Sequence, residues 1–244
     1  MQEIFNDHLS SLLVGQYPNG PLGGLALTLI LSVIGLGLAF PMSIALALCR
    51  LSPWAILRWP STVIVYVVRG IPLVMLVFWS YFLVPVLISR PTSAFTTLVV
   101  TLVIYQAAYM SEIVRAGIEA LPKGQTEAAR SLGLSYFLTM RKVILPQALY
   151  NMLPSLISQF VSTIKETSIG YVISVHELTY SANQANSALL TKPLEVFITL
   201  SLVYFCVCYT LTQIARVVEI RVERRRTRVT PSPGVSNDSL LQSQ

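Results

Sequence analysis

Charged side chains make up only 11% of the 244 residues, so those that interrupt long apolar stretches are the first candidates for chemistry. Charge in or near hydrocarbon is costly and is kept where it faces a protein interior or a water-filled path. Arg69 stands in Val-Val-Arg69-Gly70-Ile71-Pro72, Glu112 follows Tyr109-Met110-Ser111, and Lys165 and Glu166 precede Thr167 and Ser168. Gly70 and Pro72 would interrupt a helix and free backbone groups to line a cavity. Arg69 is therefore a candidate for a transport path or for bracing the break. Glu112 is expected to pair with Arg115 at i,i+3 rather than with a ligand. Lys165 and Glu166 could satisfy each other, snorkel to the interface or face a water-filled path.

Other chemistries lack their residues. The chain has no G-x-x-x-x-G-K-[ST] phosphate loop, no G-x-S-x-G elbow and no visible nucleophile–base pair, so it is read as a non-enzyme with no catalytic residue. His176-Glu177-x-x-Tyr180 begins like a zinc-protease helix but lacks the second His, and the other His is His8, so no metal site is expected. Cys49, Cys206 and Cys208 all fall in apolar runs without metal or disulfide spacing and read as small packing residues.

The elements that must position these charges are membrane helices. Hydrophobic residues are 54% of the chain and the mean hydropathy is +0.65, beyond what a soluble domain of this size shows. Five stretches contain no charged residue or His: Leu22–Cys49, Gly70–Ser89, Pro91–Ser111, Val143–Ile164 and Val196–Ala215. About 20 apolar residues span the hydrocarbon core as helix, which predicts an all-α integral membrane protein of five transmembrane helices. Leu22–Cys49 is too long for a signal-peptide core and has Glu3 and Asp7 before it instead of a basic leader, so it is expected to be retained. Gly23, Gly24, Gly35 and Gly37 are either close-packing points or glycines simply tolerated there.

Thirteen of the 17 basic residues fall on one side of these spans, with Arg90 and Lys192 on the other and Arg69 and Lys165 at the boundaries. The positive-inside rule then puts the N-terminus outside and the C-terminus in the cytoplasm. The reading is a periplasmic segment 1–21, a transmembrane domain 22–220 with a cytoplasmic loop 119–147, and a basic, then disordered, cytoplasmic tail 221–244. The tail's Arg-Val-Glu-Arg-Arg-Arg-Thr-Arg run suits a phospholipid anchor rather than nucleic acid, and its Ser-, Pro- and Gln-rich end suits disorder. Ser168–Thr191 is too polar to span and is expected as an outer-side loop with a short interfacial helix.

One stretch breaks the apolar series at length: Leu121–Leu149 mixes charge with helix formers. Gln125 to Leu132 predicts a short helix, with Gly133 as its C-cap or a close-contact point. Ala128 and Ala129 leave room for a partner surface. The pattern Glu127-Ala128-Ala129, three residues, Gly133, nine residues, Val143-x-Leu145-Pro146 resembles the EAA signature of bacterial ABC-importer permeases, with Val143 in the usual Ile place. That resemblance implies a type I ABC importer fold in the bacterial inner membrane. It makes Glu127, Ala128, Ala129 and Gly133 part of a coupling helix that docks on a cytosolic ATPase.

The resemblance extends over residues 20 to 220. Arg69-Gly70-Ile71-Pro72-Leu73, Ala108-Tyr109-x-x-Glu112-Ile113-x-Arg115-Ala116-Gly117-Ile118, Lys123-Gly124-Gln125 and Lys165-Glu166-Thr167-Ser168 are similar to the polar-amino-acid subgroup. There the last motif usually reads Lys-Asp-Thr-Ser and is implicated near the substrate path; here Glu166 stands in place of Asp. The resemblance implies a substrate path of Arg69, Lys165, Glu166, Thr167 and Ser168, with Lys165 for an α-carboxylate and Glu166 for an α-ammonium. Arg69–Pro85 is most similar to glutamate/aspartate permeases and leans the cargo towards acidic amino acids, with glutamine, arginine or histidine as alternatives.

The implied partners are an ABC ATPase dimer carrying ATP and Mg, a second permease subunit (an identical copy or a paralogue), an amino-acid-binding protein, periplasmic or lipid-anchored, and membrane lipids. This chain itself binds no cofactor in that reading. The rival class, a passive channel or membrane scaffold, has no reason to carry the EAA segment.

Overall fold

The computed structural model describes residues 9–229, with side chains as far as Val222. The expected segment 1–21 and tail 221–244 therefore lie in part outside the described residues. The described chain is helical throughout: α1 (Leu9–Val14), α2 (Gly24–Leu51), α3 (Ala55–Gly70), α4 (Leu73–Ile88), α5 (Ala94–Glu119), α6 (Lys123–Ser131), α7 (Leu145–Glu166), α8 (Leu178–Leu189) and α9 (Pro193–Val229). A one-turn helix, Tyr136–Thr139, leads into α7, and a 3-10 segment, Thr167–Ile173, follows it.

Two π-helical turns, Trp79–Leu83 and Met140–Ile144, each end just before an X-Pro pair, Val84-Pro85 and Leu145-Pro146. A proline inside a helix removes an N–H and crowds the carbonyl four residues back. The wider π turn absorbs that mismatch without ending the helix.

Among the described residues, three helices are long and apolar enough to cross a membrane: Gly24–Leu51, Ala94–Glu119 and Pro193–Val222. Helices α3 and α4 meet at a bend of 103° and together would form a fourth, broken span. The expected run Gly70–Ser89 is thus corrected at its start, because Gly70 closes α3 and the second helix begins at Leu73. At 1.5 Å per residue α4 is about 24 Å long, short of a core of about 30 Å. Helix α7 has the length, at 22 residues, but carries Gln147, Asn151, Gln159 and Lys165. Its polar side must be sheltered by other helices.

Helices α2 and α5 share the most extensive interface, and α7 packs against both α5 and α9. Ala39, Ala107 and Met110 fill the middle of the bundle, with Leu31, Val77, Leu98 and Leu102 to one side of them. Ala47, Val114, Ile118 and Ala148 close one end, and Leu12, Leu178, Ala182 and Val196 the other. Large apolar side chains on α3, α4 and α9, including Ile56, Trp59, Val86, Leu87 and Phe205, stay exposed, as lipid-facing or partner-facing surfaces require.

The glycines divide. Gly24 has a positive φ, and a Cβ there would collide with the Leu12 carbonyl oxygen, while one on Gly23 would collide with the His176 carbonyl oxygen. Gly35 has only ordinary contact with Leu102 and Gly37 faces open space, so those two are merely tolerated.

Helix α8 is a packed element rather than an interfacial one, since Leu178, Ser181, Ala182 and Ala185 are buried. Glu177 caps it, accepting from Thr179 N at 2.8 Å and Tyr180 N at 2.9 Å. The Tyr204 hydroxyl of α9 donates to the same carboxylate at 3.3 Å, and Leu178 N donates to Thr28 Oγ1 of α2 at 3.1 Å. His176 stacks on Tyr180, and among the described residues no three His, Cys, Asp or Glu side chains converge. The His-Glu motif is therefore a helix start that fastens α8 to α2 and α9.

Burial of Glu177, outside the long helices, pushes its carboxyl up to about 7, although Thr179, Tyr180 and Tyr204 donate to it. The folded state then holds this proton more tightly than the unfolded chain does. Stability from Glu177 is full below about pH 4.5 and falls as the pH rises to about 7. Thermal unfolding of purified protein in detergent should show this decline in the wild type and a flatter profile in Glu177→Gln. Equal slopes in the two proteins would contradict it.

Candidate functional site

Three groups of polar residues are assembled by this bundle. The first centres on Glu112, near the C-terminal end of α5. Its Oε2 accepts from Arg115 Nε at 2.9 Å, the expected i,i+3 pair, and Arg115 also reaches Glu119 at 2.6 Å. Its Oε1 lies 2.7 Å from Arg50 Nη1 and 3.0 Å from Arg69 Nη1. One carboxylate thus ties the ends of α2 and α3 to α5. The Arg50 side chain is only 5% exposed and sits over the Tyr66 ring. Arg69 stands one residue before the end of α3, its guanidinium 5.2 Å from the centre of the Tyr109 ring.

The second group lies between α5 and α7. The Gln159 amide donates to Gln106 Oε1 at 2.7 Å, and the Gln106 amide donates to Glu166 Oε2. Gln106 is wholly buried. Glu166 is therefore held by Gln106, and no ion pair joins it to Lys165 among the described contacts, so mutual satisfaction of that pair is not what the structure shows. Lys165 is exposed while Thr167 is buried. The hydroxyls of Thr167 and Ser168 turn back onto the carbonyls of Ile164 at 2.7 Å and Lys165 at 2.6 Å.

Tyr105 stacks obliquely near Tyr109, ring centres 4.6 Å apart. Beside Gln159, the residues Ser155, Ser158 and Ser162 line a groove of about 340 Å³ with Ile113, Ala215 and Glu219. Their spacing of i, i+3, i+4 and i+7, counting Gln159, puts them on one helix face. That periodicity was present inside the uncharged run 143–164, where only length was weighed.

The third group is the segment leaving α5. Helix α6 is positioned by Gln147 Nε2 on α7, which donates to Gln125 Oε1 at 3.2 Å. Ala129 is 5% exposed and packs inward, leaving Glu127 and Ala128 on the open side. Gly133 N donates to Arg130 O at 2.9 Å and Leu134 N to Ala129 O at 3.3 Å, the paired bonds of a Schellman stop with Gly133 at the left-handed position. Its φ is +83°, yet a Cβ there would touch nothing within 4 Å. The residue is needed for backbone conformation, not for a close contact. An open groove of about 530 Å³ runs past Gly124, Gln125, Ala128, Leu132 and Val143.

The burial of Arg50 makes the first group testable. Removing one partner of a buried pair costs about 3–5 kcal/mol, whereas a partly exposed pair is worth about 1 kcal/mol or less. Glu112→Gln should therefore lower the unfolding temperature in detergent far more than Arg115→Gln, whose target is 32% exposed. Similar losses in the two variants would contradict the central place given to Glu112.

Comparison with known proteins accords with this arrangement. Residues 37–224 match the family described as binding-protein-dependent transport system inner membrane component. The inner membrane amino-acid ABC transporter permease protein YhdY of Escherichia coli is 37% identical over 84% of this chain, which spans 57% of YhdY's length. The glutamate transport system permease protein GluD of Corynebacterium glutamicum is 37% identical over 85% of this chain and 76% of its own. A solved amino acid ABC transporter with histidines superposes with a TM-score of 0.75 at 34% identity, covering 81% of this chain and 92% of that one. The chain thus belongs to the binding-protein-dependent transport system inner membrane component family and is a multi-pass inner-membrane permease subunit of an ABC importer, a protein that is not itself an enzyme.

Proposed function

We propose that this permease carries polar amino acids across the inner membrane by alternating access, in a complex of two permease subunits and two ATPases. The observation that carries this reading is α6 with its Gly133 stop, exposed at one end of the bundle and continuous through α5 with the Glu112 cluster. ATP binding draws the ATPases together. The two α6 helices follow, and the cavity between the subunits turns outward to receive the amino acid from a binding protein. Hydrolysis, on Mg-bound ATP held by the partners, resets it. Glu127, Ala128, Ala129 and Gly133 couple, and do not touch cargo.

Five spans, with α3 and α4 as one broken span and α7 as another, satisfy the one-sided distribution of basic residues and put α6 in the cytoplasm. The domain reading follows: an outer segment 1–21, a permease body 22–220 and a basic tail 221–244. Arg69, Lys165, Glu166, Thr167 and Ser168 line the path, together with the serine face of α7. The broken helix at Arg69 and the polar chain at Glu166 support this, because irregular backbone and intramembrane charge both mark transport paths. Glutamate or aspartate is the first cargo to test, from the similarity of Arg69–Pro85 to permeases of that kind and from the glutamate relative.

Gly133 supplies the test of coupling. At φ +83° a β-branched residue is strongly strained, whereas Asn tolerates the left-handed region. In the reconstituted complex, Gly133→Val should keep ATP hydrolysis within about twofold of the wild type and lower uptake at least about tenfold, and Gly133→Asn should retain most uptake. Full uptake in Gly133→Val would count against α6 as the coupling helix.

A further inference from the structure

Gln106 lies in the middle of α5, fully buried, and belongs to none of the motifs that marked the path. A buried amide must satisfy both ends, and this one faces a carboxylate on one side and an amide on the other. Its Nε2 donates to Glu166 Oε2 and its Oε1 accepts from Gln159 Nε2 at 2.7 Å. The bonding is directional. The Glu166 carboxylate accepts only, so Gln106 turns its N–H to Glu166 and offers its Oε1 to the Gln159 N–H. Gln159 in turn lines the groove of about 340 Å³ that holds Ser155, Ser158 and Ser162, at the lower end of ordinary small-ligand pockets of roughly 300–1,000 Å³.

We propose that Gln106 is a positioning residue for transport, fixing Glu166 towards the α-ammonium of an amino acid while Gln159 and the three serines receive its polar groups. The inference rests on the reading of Lys165–Ser168 as part of the path. It adds that a cargo seated against Gln159 is linked through one buried amide to the charge at the end of α7. Six side chains from two helices then act as one recognition surface, with its polarity set by the Glu166 carboxylate.

The test uses the whole importer in proteoliposomes, with labelled L-glutamate and L-glutamine as probes and binding-protein-stimulated ATP hydrolysis measured alongside. A hydrogen bond to a charged group is worth about 1.5–3 kcal/mol, so Gln106→Met, similar in volume, should lower the maximal uptake rate by about tenfold or more. Stimulated ATP hydrolysis should stay within about twofold. Gln159→Met, which removes both the N–H given to Gln106 and the groove contact, should lower uptake by at least as much. Uptake unchanged in both single variants overturns the proposal, and so does a parallel loss of uptake and stimulated hydrolysis, the mark of a merely structural role. Glu166→Gln separates the two levels. If it impairs uptake while Gln106→Met does not, only this inference fails; if neither impairs uptake, the path reading fails with it.

Discussion

A single carboxylate among three guanidiniums holds the working end of this molecule together. Glu112 joins Arg50 of α2, Arg69 of α3 and Arg115 of α5, and Arg50 has almost no access to solvent. Hydrocarbon offers no water to share such charge, so these helices remain docked as long as the carboxylate does. The same contact fixes the 103° break between α3 and α4, since Arg69 stands one residue before the end of α3. The C-terminal end of α5 is thus tied directly to the residue beside the helix break.

That constraint gives the bundle a division of labour. The α2–α5 pair, packed through Leu31, Leu98 and Leu102, is a frame. Helix α7 is the variable member: its face with Ser155, Ser158, Gln159 and Ser162 is too polar for lipid and too open to be core. Beyond its C-terminal end the Glu177 cap fastens α8 to α2 and α9, and near its N-terminal end Gln147 touches Gln125 of α6. The helix that carries the polar face is thus in contact with the proposed coupling helix.

Much of this was legible in the residues because it depends on local spacing. The break at Gly70-Ile71-Pro72, the short helix with Gly133 behind it and the Glu112–Arg115 pair each follow from neighbours within a few positions. What escaped depends on folding distant segments together. Nothing local to Arg50 shows that Glu112 will meet it. Gln106 and Glu166 are 60 residues apart, and two glutamines in apolar runs look like tolerated polar residues until the helices are set side by side. Helix α3 was missed for a different reason: Arg58 and Pro60 interrupt its apolar run, and a search for uncharged stretches passes over it. For Gly133 the sequence reading left a cap or a close contact open, and the left-handed backbone with empty space around it decides for the cap.

The central claim is that this chain passes amino acids only when an ATPase drives it. The most direct measurement is uptake of labelled glutamate, aspartate, glutamine, arginine and histidine into proteoliposomes holding this permease, its partner permease where distinct, the ATPase and the binding protein. The account predicts that at least one of these accumulates, that accumulation requires hydrolysable ATP at the ATPase face, and that it stops when the binding protein is withheld. Flux that is equal with and without ATP would mark a passive channel and contradict it.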